Sequence, residues 1–190
     1  MPIIRKITAC NAMASRRYPS VDISGHTHPS NYGVRAMRPI GTGVHTTGSA
    51  NSIPFLQSDR RATSGISGAD YLISREGDRH QLTPSGKFAY HFGKARWNYL
   101  SNDGDLLSKM YIGVELENLN DQMCTWMQMD SLAELIVSVL APMYSWAFPF
   151  DIVGHYEVAI PIGRRSDPLG FNWGQFMGFL YARAKEAKFI

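Results

Sequence analysis

Two histidines follow short apolar runs at points where strands of a sheet are predicted to end. His45 stands in Val-His-Thr-Thr-Gly at 44–48, and His155 closes Ile-Val-Gly-His at 152–155. Asp167 lies farther on, in a loop rich in proline and glycine. Two imidazoles and one carboxylate form a ligand set that binds zinc and leaves a fourth position open. Because a single histidine is more often structural than a ligand, the spacing alone leaves open three unrelated residues at the rim of a sheet.

Strands that alternate with helices are predicted to hold these residues. A hairpin is expected over 69–74 and 79–84, and a buried strand over 110–117. Apolar residues at three- and four-residue spacing predict a helix over 130–147, capped by Asp130 or Ser131 and bent near Pro142. A last helix is predicted from about Trp173, capped by Asn172. The pattern is that of an α/β domain with a central mixed sheet flanked by helices.

The first part of the chain differs in composition from the rest. Residues 18–39 contain glycine, proline and short polar runs that predict loops and at most short strands. We therefore expect an N-terminal arm over 1–37 and one compact domain over 38–190.

Composition excludes several classes of protein. The chain has 190 residues, of which 44% are hydrophobic, so it can form a core without disulfide bonds or structural metals. Two cysteines are too few for a disulfide framework or a cysteine-rich zinc module. A net charge of +3 is far from the dense basic surface of a nucleic-acid-binding protein. The longest apolar stretch, near 132–150, is interrupted by one glutamate and two prolines, so no membrane span is predicted.

Several short segments, taken in order, resemble the zinc-dependent N-acetylmuramoyl-L-alanine amidases of the amidase type 2 family, whose fold is shared with peptidoglycan recognition proteins. The resemblance covers about residues 38–180. The strand that ends in His45, the Tyr-Ile-Gly-Val-Glu-Leu-Glu-Asn strand at 111–118 and the region from 152 to 173 are similar to family motifs. So are the segments 69–78 and 86–98, which correspond to the central hairpin and to the Ala-Trp-His-Ala-Gly type of segment.

The resemblance implies a set of site residues. His45, His155 and Asp167 correspond to the ligands of one zinc ion per chain, which would activate water and polarise the amide carbonyl. Glu115 corresponds to the strand glutamate that serves as general base, although Glu117 would lie on the same face of the strand and competes for this role.

Four further residues of the resembling segments are candidates for the site. Arg165 stands where many members have a lysine that stabilises the oxyanion, and it keeps the positive charge. The hairpin has Ala69 and Asp70 where some members have tyrosine or histidine, so Asp70 is a candidate for substrate contact or for support of the ligands. His91 and Trp97 are candidates for the wall of the substrate cleft, and structural roles are the alternative for both. A modified loop at the cleft is expected over 158–163.

The resemblance implies hydrolysis of the amide between N-acetylmuramic acid and the L-alanine of the stem peptide. The partners expected are peptidoglycan or muropeptides, with no nucleic acid. Three alternatives stay open: a peptidoglycan-binding protein without activity, a virion or tail protein that attaches through residues 1–37, and a cytosolic enzyme of muropeptide recycling. The N-terminus lacks the features of a Sec signal, so we expect the host cytoplasm before release to the wall, as for an endolysin, or carriage in a phage virion.

Overall fold

In the described part of the chain, seven strands carry or support the predicted site residues. The computed structural model describes Tyr18 and residues 28–58, 68–97, 104–119 and 122–190. The strands are β1 (Tyr32–Val34), β2 (Gly41–Gly48), β3 (Tyr71–Ile73), β4 (Arg79–Gln81), β5 (Lys87–Ala89), β6 (Tyr111–Leu119) and β7 (Asp151–Gly154).

Five strands form the main sheet in the order β4-β3-β6-β2-β7. The strands β3, β6, β2 and β7 are parallel, and β4 pairs with β3 as an antiparallel edge. The antiparallel β4 makes this sheet mixed, and its two long strands, β2 and β6, lie in its interior. β1 and β5 form a separate antiparallel pair. The predicted mixed α/β fold and the hairpin are confirmed.

Helices cover the sheet on both sides. A one-turn 3-10 helix spans Pro29–Asn31, and a π-helical segment spans Leu135–Leu140. The helices are α1 (Ile53–Gln57), α2 (Gly104–Met110), α3 (Trp126–Glu134), α4 (Ala141–Tyr144), α5 (His155–Val158) and α6 (Trp173–Glu186). No helix in the described ranges is both long and apolar enough to cross a membrane.

Strand alternation separates the core from the site face. Val44, Val114 and Leu116 pack against α3, the π-helical segment and α6 in the larger hydrophobic cluster. His45 and Glu115, which alternate with these residues, therefore lie on the other face of the sheet. A smaller cluster that includes Phe92 and Tyr111 covers part of that other face.

The long helix begins earlier than predicted. Thr125 caps α3: its hydroxyl accepts the backbone N–H of Gln128, whose side chain accepts the N–H of Thr125. Asp130, predicted as a cap, is instead buried inside the helix and paired with Arg183. The π-helical segment precedes Pro142, which lacks the N–H that a regular helix needs, and the helix ends at Tyr144 rather than at 147. The last helix begins at Trp173 with Asn172 as its cap, as predicted.

The described part of the predicted arm belongs to the domain. β1 pairs with β5, and the Arg35 guanidinium binds the buried carboxylate of Asp70 at 3.0 Å. The Tyr18 hydroxyl donates to Asp130 and its backbone N–H donates to Glu134. The boundary expected near residue 38 is therefore too late, because residues 28–37 form part of the packed fold. The rest of the predicted arm, residues 1–17 and 19–27, lies outside the described residues.

Replacement of Arg183 by methionine tests how much the buried charges between α3 and α6 contribute. Arg183 makes two 2.9 Å hydrogen bonds to Asp130 and is almost fully buried. Removal of one partner leaves an uncompensated buried carboxylate, so Arg183→Met should lower the free energy of unfolding by about 3 kcal/mol. Urea denaturation provides the measurement, with Lys185→Met on the exposed face of the same helix as control. Equal stability of the two variants would contradict the prediction.

Candidate metal centre

Three predicted ligands converge at the carboxyl-terminal side of the sheet. His45 lies in β2, His155 begins α5 directly after β7, and Asp167 lies in the loop that follows α5. The Nδ1 atoms of the two histidines are 3.1 Å apart. Asp167 Oδ2 lies 3.1 Å from Nδ1 of His155 and 3.3 Å from Nδ1 of His45. Three atoms from distant parts of the chain thus form a nearly equilateral triangle.

The hydrogen bond on the far side of the His155 ring shows which of its nitrogens carries the proton. Its Nε2 lies 3.0 Å from the carbonyl oxygen of Phe92. A carbonyl can only accept, so Nε2 carries the proton, and in the neutral ring Nδ1 presents a bare lone pair to Asp167 and His45. A lone pair and a carboxylate oxygen at 3.1 Å repel each other unless a proton or a cation lies between them.

A zinc ion fits this donor set. Two imidazole nitrogens and one carboxylate oxygen are ligands that zinc prefers, and ligands about 2.0–2.1 Å from a tetrahedral ion lie about 3.3 Å from one another. The separations of 3.1–3.3 Å in the triangle agree with that value. A search of the described ranges for three or more histidine, cysteine or acidic side chains close enough to hold a metal finds these three residues.

The surroundings of His45 and Asp167 favour the protonation states in which these side chains bind metals. Desolvation, followed by the neighbouring His155, lowers the pKa of His45 to about 4. Burial acts to raise the pKa of Asp167, but the adjacent imidazole groups of His155 and His45 outweigh it and hold that pKa below its ordinary value. A neutral imidazole and an ionised carboxylate are the forms that bind a metal.

Glu115 lies beside the triangle on the next strand. Its backbone pairs with that of His45 in the parallel ladder between β6 and β2, so both side chains occupy the same face of the sheet. Its Oε2 atom is buried and has no hydrogen-bond partner among the described residues. Burial, with a smaller contribution from the charge of Asp167, raises the pKa of Glu115 to about 8, while Arg165 acts in the opposite direction. A buried carboxylate with a raised pKa and an unused oxygen is suited to take up a proton.

A polar cleft opens next to the metal ligands. It has a volume of about 340 Å³ and is lined by residues 46–48 of β2 and residues 163–167 and 169 of the Asp167 loop. Arg165 is exposed on its wall, and its charge acts on both Glu115 and His45. The cleft therefore brings a positive charge close to the candidate base and ligands.

Comparison with known proteins assigns the family. Residues 35–170 match the family model for N-acetylmuramoyl-L-alanine amidase. The chain belongs to this amidase family. Its predicted activity is thereby confirmed: the chain is a peptidoglycan hydrolase that cuts the amide between N-acetylmuramic acid and L-alanine. A comparison with curated protein sequences gives no match.

Solved structures share the fold of this amidase. A selenomethionine derivative of AmpD is 22% identical, with 87% of this chain and 99% of that chain covered, at a TM-score of 0.65. The endolysin LysCS from Clostridium intestinale is 18% identical, with 87% and 97% covered, at a TM-score of 0.64. AmiD from E. coli, in complex with anhydro-N-acetylmuramic acid-L-Ala-D-gamma-Glu-L-Lys, is 22% identical, with 84% and 65% covered, at a TM-score of 0.59.

Asp70 and Trp97 both lie outside the lining of this cleft. Asp70 is buried, where it binds Arg35 and accepts the backbone N–H groups of Ala89 and Gly113. Burial raises its pKa, against the opposing charge of Arg35. Trp97 packs against the Phe92 cluster and does not line the cleft. Asp70 thus joins the sheet to its neighbouring segments, and Trp97 takes part in packing; contact of either residue with substrate stays a prediction.

His91 is likewise absent from the cleft wall. Its ring is buried beside the metal ligands, with Nδ1 3.0 Å from Nε2 of His45. The alternative of a structural hydrogen bond agrees with this contact, and contact of His91 with substrate stays a prediction.

Two residues of the site carry no signal in the sequence. The backbone carbonyl of Phe92 accepts from His155, and it also accepts from the Arg164 guanidinium at 3.0 Å. Arg164 further donates to the carbonyls of Lys94 and Ile160. It thereby fastens the loop over 159–164 to the segment that orients His155. Because the acceptors are backbone atoms, no residue type reveals these contacts.

Metal binding by the triangle is directly measurable. We expect the wild-type amidase to bind one zinc ion per chain. Zinc should raise its free energy of unfolding by about 2.7 kcal/mol when free zinc is one hundred times the dissociation constant. His155→Ala should lose both effects, because it removes one of three ligands. Atomic emission of dialysed protein and thermal unfolding with and without zinc provide the measurements. Stoichiometric zinc in the variant would contradict the ligand assignment.

The raised pKa of Glu115 predicts a pH-dependent difference between two proteins. In chelator-treated protein, the folded state holds a proton on Glu115 at pH values where the unfolded state has released it. The wild type should therefore lose stability relative to Glu115→Gln as pH rises from about 4.5 to about 8, by up to about 1.4 kcal/mol per pH unit. His45 contributes equally to both proteins and cancels. Urea unfolding at several pH values gives the difference, and parallel curves would contradict it.

Proposed function

We propose that this amidase is zinc-dependent and that it acts on polymeric peptidoglycan, as an endolysin does. The observation that carries the zinc assignment is the triangle of Nδ1 of His45, Nδ1 of His155 and Oδ2 of Asp167, with separations of 3.1–3.3 Å. Zinc bound there supplies a Lewis acid that activates water and polarises the amide carbonyl.

Glu115 is proposed as the general base. Its free Oε2 accepts the proton of the attacking water, and the same proton passes to the nitrogen of the L-alanine leaving group as the carbon–nitrogen bond breaks. Burial, which raises the pKa of Glu115 to about 8 in the metal-free site, supports its ability to hold this proton. A nearby divalent cation lowers such a pKa, so Glu115 can be ionised before the reaction and protonated during it.

Glu117 is the competing carboxylate on the same face of the strand, and its surroundings favour Glu115. Its Oε1 accepts the backbone N–H of Ser52 at 2.9 Å, which ties it to the loop after β2. Glu117 thus has a structural role near the end of the β2–β6 pair. Glu115, by contrast, retains a buried oxygen without a hydrogen-bond partner in the described chain.

Arg165 is proposed to stabilise the oxyanion that forms on the amide carbonyl. It is exposed on the cleft wall two residues before the ligand Asp167, and no described side chain forms a salt bridge with it. Neighbouring Arg164 has the same charge, but its guanidinium already donates hydrogen bonds to backbone carbonyls. Arg165 is therefore the cation of this loop that remains available to substrate.

Two substrate forms need to be distinguished. The resemblance to an endolysin favours the polymeric wall, whereas the AmiD structure contains a soluble anhydro-muropeptide. The polar lining of the cleft suits the sugar hydroxyls and peptide groups that both forms share. A second candidate function is therefore the recycling of soluble muropeptides by the same chemistry.

Mass spectrometry of purified sacculi tests the proposal. Zinc-loaded wild-type protein should release peptides that begin with L-alanine and leave the glycan strands uncut, and a chelator should abolish release. Glu115→Gln should keep its zinc and lose at least about a hundredfold in rate, in line with removal of a general base. Glu117→Gln is the matched control on the same strand and should retain near wild-type activity.

Each contrary outcome has a distinct meaning. Release that persists after complete zinc removal would refute the zinc mechanism. Full activity of Glu115→Gln would transfer the role of base to another group. If sacculi stay intact while an anhydro-muropeptide is cut, the recycling function replaces the lytic one.

The biological setting remains a proposal that follows from the lytic function. An amidase of this kind would be held in the host cytoplasm before release to the wall, or be carried in a phage virion. Attachment to a virion or tail through residues 1–37 stays a prediction of the sequence. Of this segment, the described residues 28–37 pack on the domain itself.

A further inference from the structure

We propose that His91 is a positioning residue of the amidase: it fixes the tautomer and ring orientation of His45, so that the Nδ1 lone pair of His45 faces the metal. This inference rests on the zinc site proposed above. It assigns to His91 a role in metal affinity.

A chain of three hydrogen-bonding groups carries the argument. His91 Nε2 lies 3.3 Å from the carbonyl oxygen of Tyr111, and this acceptor requires a proton on Nε2. In the neutral ring His91 Nδ1 is then a bare acceptor. It lies 3.0 Å from Nε2 of His45, which must therefore be the donor. With its proton on Nε2, His45 has a free lone pair on Nδ1, the atom that belongs to the triangle.

The surroundings hold the His91 ring in one place. A Cβ atom on Gly113 would lie 2.6 Å from two carbons of the His91 ring, so glycine at this position is what allows the ring to lie against the strand. Gly43, paired with Gly113 across the β2–β6 ladder, makes the same room for the ring of Phe92. From the other side, the Ser108 hydroxyl accepts the backbone N–H groups of both His91 and Phe92. The segment is clamped between the sheet and α2.

Two consecutive residues thus orient both ligand histidines. The Phe92 carbonyl fixes the proton of His155 on Nε2, and the His91 side chain does the same for His45. Groups that bind the distal nitrogen of a metal-ligating histidine set its tautomer and its basicity, and their loss typically lowers metal affinity by about 10- to 100-fold. Because one partner is backbone and the other a side chain, only the partner of His45 can be removed by substitution.

Zinc affinity of two variants tests the role of His91. His91→Phe keeps a flat ring and removes the acceptor, so zinc affinity should fall about 10- to 100-fold, measured by competition with a chromophoric chelator. His91→Asn places an amide oxygen near the position of Nδ1 and should recover most of the affinity. The unfolding free energies of the two metal-free variants serve as the control for folding. Zinc binding by His91→Phe within twofold of wild type would overturn the proposal.

The wild-type protein provides a test that does not depend on variants. Nitrogen-15 NMR of the imidazole groups in the zinc-loaded protein should show His91 with its proton on Nε2 and a bare Nδ1. A proton on Nδ1 of His91 would overturn the proposal. If wild-type protein binds no zinc at all, the proposed function fails; if it binds zinc and His91→Phe binds equally well, only the role of His91 fails.

Discussion

Three electron-rich atoms held within 3.3 Å of one another are the constraint around which this amidase is built. Each has its lone pair directed at the others, so the arrangement costs electrostatic free energy in the absence of a cation. Rigid elements of the fold hold the three atoms in place despite this repulsion. β2 lies at the centre of the sheet between two parallel neighbours, β7 ends directly at His155, and the Asp167 loop is joined to α5 by the hydrogen bond from Tyr156 N–H to the Asp167 carbonyl. A site of this kind is preorganised, because its ligands need little movement to receive a metal.

The site also requires a patch of the sheet without side chains, against which the segment 91–92 can pack. Gly43 and Gly113 face each other in adjacent strands, and side chains on either would collide with the rings of Phe92 and His91. The paired glycines let the segment 91–92 lie directly against the backbone, close enough to reach both ligand histidines. Arg164 then ties this segment to the loop that precedes Asp167. The supports of all three ligands are therefore mechanically connected.

The sequence predicted the elements that carry strong local signals. The hairpin, the buried strand predicted over 110–117 and the cap at Asn172 follow from apolar periodicity and capping chemistry, and His45, His155 and Asp167 could be singled out because they stand in segments that resemble family motifs. The apolar period predicts a helix start at Asp130, whereas the capping box of Thr125 and Gln128 starts α3 at Trp126.

Other features depend on contacts across the fold. Asp70 looked like a site residue because its partner, Arg35, is 35 positions away in a segment predicted as an arm. The surroundings of His91 depend on Gly113 and Ser108, and those of Arg164 on backbone carbonyls. Local patterns cannot show such pairings.

The spacing of the ligands along the chain has a consequence for stability. His45 and His155 are 110 positions apart, and Asp167 follows twelve positions later, so the triangle spans most of the domain. A metal that joined such distant positions would act as a cross-link, which restricts the unfolded chain much as a disulfide across a long loop does. The same bound ion would then stabilise the fold and enable hydrolysis.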